Sequence, residues 1–163
     1  MTRQADLPNA NLANANLSDD DFSGANLAGA NLSRAKLTKT NLRGADLTGA
    51  DLRHDDLSDA DLGDARLVGA HLDEASLRDA RLTGADLQAA HLHAADLRGA
   101  DLADANLSGA DLSDADLAGA NPERAGSLAG ANLRGIHGLT GEQRAACADM
   151  WAVTDDREDR TGA

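Results

Sequence analysis

The chain has 163 residues, room for one domain, and a formal net charge of −13, which opposes direct binding to nucleic acid because phosphates would repel it. Only 1% of its residues are aromatic, Phe22 and Trp151 with no tyrosine, so a compact globule packed around large side chains is not expected.

Residues 1–4 read as a short frayed start. From Ala5 a strict beat sets in. A Leu falls every fifth residue from Leu7 to Leu117, with Phe22 as the one substitute, through 23 consecutive units. The residue two before it is Ala except at Asp20, Thr40 and Asp55, and the residue just before it is mostly Asp or Asn. A period of five fits neither a helix, at 3.6, nor a strand, at 2. As a helix, successive Leu would turn by about 140° and scatter round the surface. Glycines such as Gly44, Gly49 and Gly69 would each also cost a helix roughly 1 kcal/mol. A repeat this short instead predicts a solenoid, each unit a brief extended piece plus a turn, with Leu and Ala inward. One unit cannot bury its Leu alone, so coils must stack.

The outward charges bear on how many units close one coil, because like charges in register on neighbouring strands repel. With four units per turn, residue n lies beside n±20. Arg66 then sits between Asp46 and Asp86, Arg81 between Asp61 and Asp101, and Lys39 between Asp19 and Asp59. Lys36 meets Asp56, Arg53 meets Asp73, and Asp20 and Thr40 become inward neighbours able to hydrogen-bond. With three units Arg66 would stack on Arg81. Five per turn is not excluded by charge, so four is favoured. Residues 5–124 would then make six coils, a rod about 29 Å long at ~4.8 Å per coil. Pro8 takes an outward position in the first coil, where an end tolerates it.

The run A-[DN]-L-x-x, as in Ala45-Asp46-Leu47-Thr48-Gly49, resembles the pentapeptide repeat family over residues 5–121. The resemblance implies an all-β fold, a right-handed quadrilateral β-helix, with Leu7 to Leu117 lining the interior and Asp20 and Asp55 as polar intrusions. The expected division is a repeat domain over 1–139, regular through 121 and irregular over 122–139. There Pro122 takes a Leu position and Leu128 follows six residues later. Thr140 and Gln143 have capping-box spacing, so a short helix is expected over 140–153. Its Met150 and Trp151 either cap the open end of the core or make a dimer contact, as C-terminal helices do in some relatives. Residues 154–163 are charged and expected to be disordered.

The single cysteine, Cys147, excludes an intrachain disulfide and suits a reducing compartment. No apolar run approaches ~18 residues and no signal-peptide core is present, so a cytoplasmic protein without membrane contact is expected. No phosphate loop, nucleophile elbow or zinc-protease motif occurs, and the Asp residues are periodic, so no enzyme and no cofactor are expected. His54, His71, His91 and His93 fall on one side, with His71 over His91. His71, His91 and His93 are weak candidates for a metal beside the expectation of solvated surface histidines. The most acidic side carries Asp20, Asp21, Asp61, Asp64, Asp101 and Asp104, interrupted by Arg43 and Arg81. These six are the candidate partner-binding residues. The loop-free family members that this chain resembles act in quinolone resistance or toxin immunity as DNA mimics. The implied partner is then a type II topoisomerase, DNA gyrase or topoisomerase IV, with a homodimer through an end of the rod. The alternative is a repeat scaffold with an unassigned protein partner.

Overall fold

The computed structural model describes residues 5–150 and 152–154, and it is a four-sided stack of coils. Parallel bridges join each residue before a core Leu to the residue twenty later: Asp6 to Asn26, Asn26 to Asp46, Asp46 to Arg66, and so on to Asp96 with Asp116. Four units therefore close one coil, and the choice that charge left open is settled by backbone pairing. Each coil is tied upward three times per side, the corner bond being of the kind Asn9 N–H to the Ala28 carbonyl at 2.9 Å. Leu7 N–H donates to the Asn26 carbonyl at 2.8 Å, and Asn26 N–H returns to the Ala5 carbonyl at 2.9 Å.

Each corner is a turn in which the Leu carbonyl accepts the N–H three residues on, as in Ala10 to Leu7 at 3.2 Å. The residue before that donor is left-handed, with φ of 57° at Asn9 and 65° at Gly29. Positive φ at that position alone makes the turn type II. Pro8 precedes it, in the slot where a fixed φ near −65° suits a type II turn, so its place has a local cause besides the end of the rod. Glycine is free in this left-handed corner. Arg34, Lys39, His54, Glu74, Ala89 and Ala94 also occupy it, at a cost of about 1 kcal/mol each.

The interior is a column of Leu and Ala. From Ala25 to Leu117 every inward Leu and Ala is at most 2% exposed. Coil one is different. Leu7, Leu12, Leu17 and Phe22 are only half-buried, because no coil of the described residues lies beneath them. Thr40 and Asp55 are buried polar residues in this column, whereas Asp20, expected as an inward intrusion, is exposed at the open end. The expected Asp20–Thr40 hydrogen bond does not form. The Thr40 hydroxyl donates to the Leu17 carbonyl at 2.7 Å instead, a nearer backbone acceptor.

Pro122 is buried in the place of a Leu and starts a single 3-10 turn, Pro122–Arg124. The step then lengthens to 21 residues: Asn106 pairs with Ser127, Asp111 with Asn132, and Asp116 with His137. Leu128 and Leu133 stay fully buried, so the extra residue is absorbed in the turn and not in the core. Helix α1, Gly141–Asp149, follows, with both bonds of the Thr140–Gln143 capping box present. It ends four residues before the expected 153, because the chain must return to the stack. Val153 pairs with Asn132, donating to the Ala131 carbonyl and accepting from Leu133 N–H, both at 2.7 Å. Thr154 is buried rather than part of a loose tail; the rest of the segment expected to be disordered, and Trp151, lie outside the described residues. Cys147 is fully buried and Met150 packs partly buried against the core, so α1 covers the last Leu layer. No helix among the described residues is long and apolar enough to cross a membrane.

Candidate interaction surface

With the interior filled, chemistry is confined to the outer walls. The residue before each Leu points outward, and its Asp or Asn side chain has a structural task. Its oxygen accepts the backbone N–H two residues on: Ser23 to Asp21 at 3.0 Å, Gly63 to Asp61 at 3.0 Å, Ala103 to Asp101 at 3.2 Å. This is an Asx turn, and it occupies the N–H that the following corner leaves over. The Asp and Asn preference at this position was visible in the sequence, but its cause was not. Much of the negative charge is therefore a by-product of turn chemistry.

The six candidate acids do share one side. Asp21, Asn41, Asp61, Arg81 and Asp101 form one ladder of bridges up the wall. Asn41 donates to Asp21 at 2.9 Å, Arg81 reaches Asp61 at 3.6 Å, and Asn121 and Thr83 donate to Asp101 at 2.9 and 3.0 Å. Arg43 pairs with Asp64. The Asn121 amide and the Ala103 N–H hold the Asp101 carboxyl below the usual range, and the Ser23 N–H does the same for Asp21. Asp20 and Asp104 are exposed and make no side-chain bond among the described residues. The wall thus holds both tied carboxylates and free ones. Its ion pairs are exposed, each worth up to about 1 kcal/mol.

Other expected charge pairs are mixed. Arg66 faces Asp46 at 3.9 Å as expected, whereas Arg53 turns back to Asp51 on its own coil at 2.6 Å. A bidentate fork within one unit is better than reaching across to Asp73.

The histidines share a side, as the register predicts. His71 and His91 stack face to face with ring centroids 4.7 Å apart. Stacked rings hold their nitrogens side by side and do not converge them on one ion. His93 turns away to the Ser113 carbonyl and hydroxyl, both at 3.1 Å, and His54 faces Glu74 at 3.3 Å. Among the described residues no three His, Cys, Asp or Glu are placed to hold a metal.

One residue the sequence marked only as an intrusion has the most altered chemistry. Asp55 is 2% exposed and stands in the Ala column. Its Oδ1 accepts the Ala35 N–H at 2.9 Å, while its Oδ2 has no partner. Burial pushes its pKa up to about 8. The Cys147 thiol is likewise pushed up by burial, to about 11.

Pentapeptide repeats, in eight copies, match residues 21–53, 56–93 and 85–121. Among solved structures, the chain is similar to HetL, a pentapeptide repeat protein involved in heterocyst differentiation regulation in the cyanobacterium Nostoc sp. strain PCC 7120. The identity is 38%, over 85% of this chain and 68% of that one, with a TM-score of 0.48. It is also similar to the pentapeptide repeat protein Rfr23 of the cyanobacterium Cyanothece 51142, with 37% identity over 55% of this chain and 58% of that one, TM-score 0.47. QnrB1, a plasmid-mediated fluoroquinolone resistance protein, is 18% identical over 95% of this chain and 87% of its own, TM-score 0.47. No curated protein matches the chain. The repeat match spans most of the chain and the coils close in four sides, so the chain belongs to the pentapeptide repeat family and folds as its right-handed quadrilateral β-helix.

Proposed function

We propose that this protein acts without catalysis, as an acidic rod that binds a basic surface of another protein, and that the DNA-binding groove of a type II topoisomerase such as DNA gyrase is that surface. The supporting observation is the wall itself. The interior is closed by Leu and Ala, so only the outside is available, and that outside belongs to a chain with a net charge of −13. A cationic groove attracts such a body and raises its on-rate. In this reading Asp20, Asp21, Asp61, Asp64, Asp101 and Asp104 stand in for phosphates, in the cytoplasm, and the biological outcome is antibiotic resistance or toxin immunity.

A second reading has its own support. Asp61 and Asp64 are paired with Arg81 and Arg43, which reduces their resemblance to bare phosphates. In that reading the rod is a scaffold for a different protein.

A gyrase assay separates the two. The proposal expects inhibition of supercoiling or protection from quinolone-induced cleavage. The effect should weaken with added salt and with Asp61, Asp64, Asp101 and Asp104 all changed to Asn. Gyrase left untouched at tens of micromolar protein would overturn the topoisomerase reading and leave the scaffold.

A further inference from the structure

The two ends of the rod are unlike. At the C-terminal end, Val153 continues the ladder and α1 lies over the last layer, with Cys147 fully buried. At the other end, coil one (residues 5–24) presents the half-buried Leu7, Leu12, Leu17 and Phe22. In every coil above, the residue before the core Leu donates its N–H downward: Asn26 to Ala5, Asn31 to Ala10, Lys36 to Ala15 and Asn41 to Asp20, at 2.8 to 3.0 Å. The same residues accept from the Leu, or Phe22, amides below them. In coil one the equivalent N–H and C=O groups, those of Asp6, Asn11, Asn16 and Asp21, have no partner among the described residues. Among the described residues this end is an apolar floor framed by four short unpaired edges.

An ordinary extended peptide can pair with one side only, because the edge turns a corner every five residues. Only another coil with the same beat can meet all four. The covered C-terminal end cannot supply one. That leaves a second copy turned over, head to head, its sides running antiparallel to these.

A twofold axis across the end can lie four ways. Two run through opposite sides and two through opposite corners. Three of the four set Asp6 or Asp21 against an Asp of the other copy, or leave Asn facing Asn. One axis, through the corner between the first two sides, sets Asp6 over Asn11 and Asn16 over Asp21. The rod repeatedly uses this amide-on-carboxylate pairing between its own coils: Asn26 on Asp6 at 2.8 Å, Asn41 on Asp21 at 2.9 Å, Asn106 on Asp86 at 3.0 Å, Asn132 on Asp111 at 2.9 Å. We propose that two copies of this chain join through coil one about that axis, with Asp6 of each copy over Asn11 of the other and Asn16 over Asp21.

Coil one brings one full turn of chain, near the lower bound of the roughly 20–30 residues per partner in stable interfaces. Asp19 and Asp20 lie by the opposite corner, which the axis also crosses, so each faces its own copy. Their repulsion makes the association weak at low salt and stronger when salt screens it. The inference requires no particular partner protein, and it can fail while the topoisomerase reading stands.

Sedimentation velocity on the full chain tests it, with folding of every variant checked by circular dichroism. A concentration-dependent monomer–dimer equilibrium is expected, tightening several-fold as salt rises to about 0.5 M. Asn11→Asp alone should weaken the dimer about tenfold or more by setting carboxylate on carboxylate. Exchanging the charge across the corner, Asp6→Asn with Asn11→Asp, should restore it, because the pair is then Asn over Asp. Leu12→Glu, at a position already half-exposed, should abolish it. A monomer at ~100 μM in high salt would overturn the proposal. So would a dimer indifferent to Leu12→Glu and lost with Met150→Glu. An exchange variant as weak as Asn11→Asp alone would overturn the corner axis.

Discussion

Replacing Asp55 by Ala should flatten the pH dependence of stability in a calculable way. The Asp55 carboxyl titrates near 8 when folded, against an ordinary 3.8, because it is buried with one oxygen unpartnered. Its folded pKa is raised, so the folded state holds the proton more tightly. The stability that this proton uptake lends is fully present below about pH 4 and is lost as pH climbs to about 8. Over that window the loss runs at about 1.4 kcal/mol per pH unit. Between pH 5 and 7 the parent should therefore lose about 2–3 kcal/mol that Asp55→Ala does not. The other shifted carboxylates, Asp21 and Asp101 among them, move downward and lose their contribution only as pH falls below the ordinary range. Histidines are common to both proteins and cancel in the difference. Urea unfolding of the two proteins at pH 5, 6 and 7 reads the effect. Ala is the residue the column otherwise uses, so the variant should be the more stable at pH 7. Parallel pH profiles for parent and variant would refute the reasoning, since they would mean Asp55 is ionised in the folded core.

Three further outcomes are expected. Ala89→Gly and Ala94→Gly relieve left-handed corners at φ 54° and 55°, and each should raise stability by up to about 1 kcal/mol, read as a higher melting temperature. Gly138→Ala would set a Cβ 2.3 Å from the Ala118 nitrogen at φ 81°, so it should loosen the C-terminal cap. The measure is faster labelling of Cys147 than in the parent, where it is buried. Leu62→Ala empties one core position at mid-rod and should cost about 2–5 kcal/mol of unfolding free energy.

The body of the fold was legible because one rule is repeated without interruption. Leu and Ala at fixed spacing leave the backbone a single way to bury them, and stacked charges pointed to four sides. What escaped were places where a local bond outbids the pattern. Arg53 prefers the fork to Asp51 within its own unit, and Thr40 takes the Leu17 carbonyl rather than Asp20. Val153 read as helical from its apolar character, but its backbone was needed by Asn132 and its neighbours. The acidic wall could be located by register alone. Its division into tied and free carboxylates depended on rotamers, which periodicity does not encode. Asp55 announced itself by breaking the Ala column, but its proton affinity follows from depth and a missing partner.

The twenty-residue step makes length a quantised property of this molecule. Removing four units would shorten it by one storey and leave everything downstream facing as before. Removing one unit would swing all that follows through a quarter turn, carrying each acid to a different compass point. Evolution by duplication can thus extend such a rod freely in whole storeys, while a single lost unit scrambles whatever a partner reads along its side.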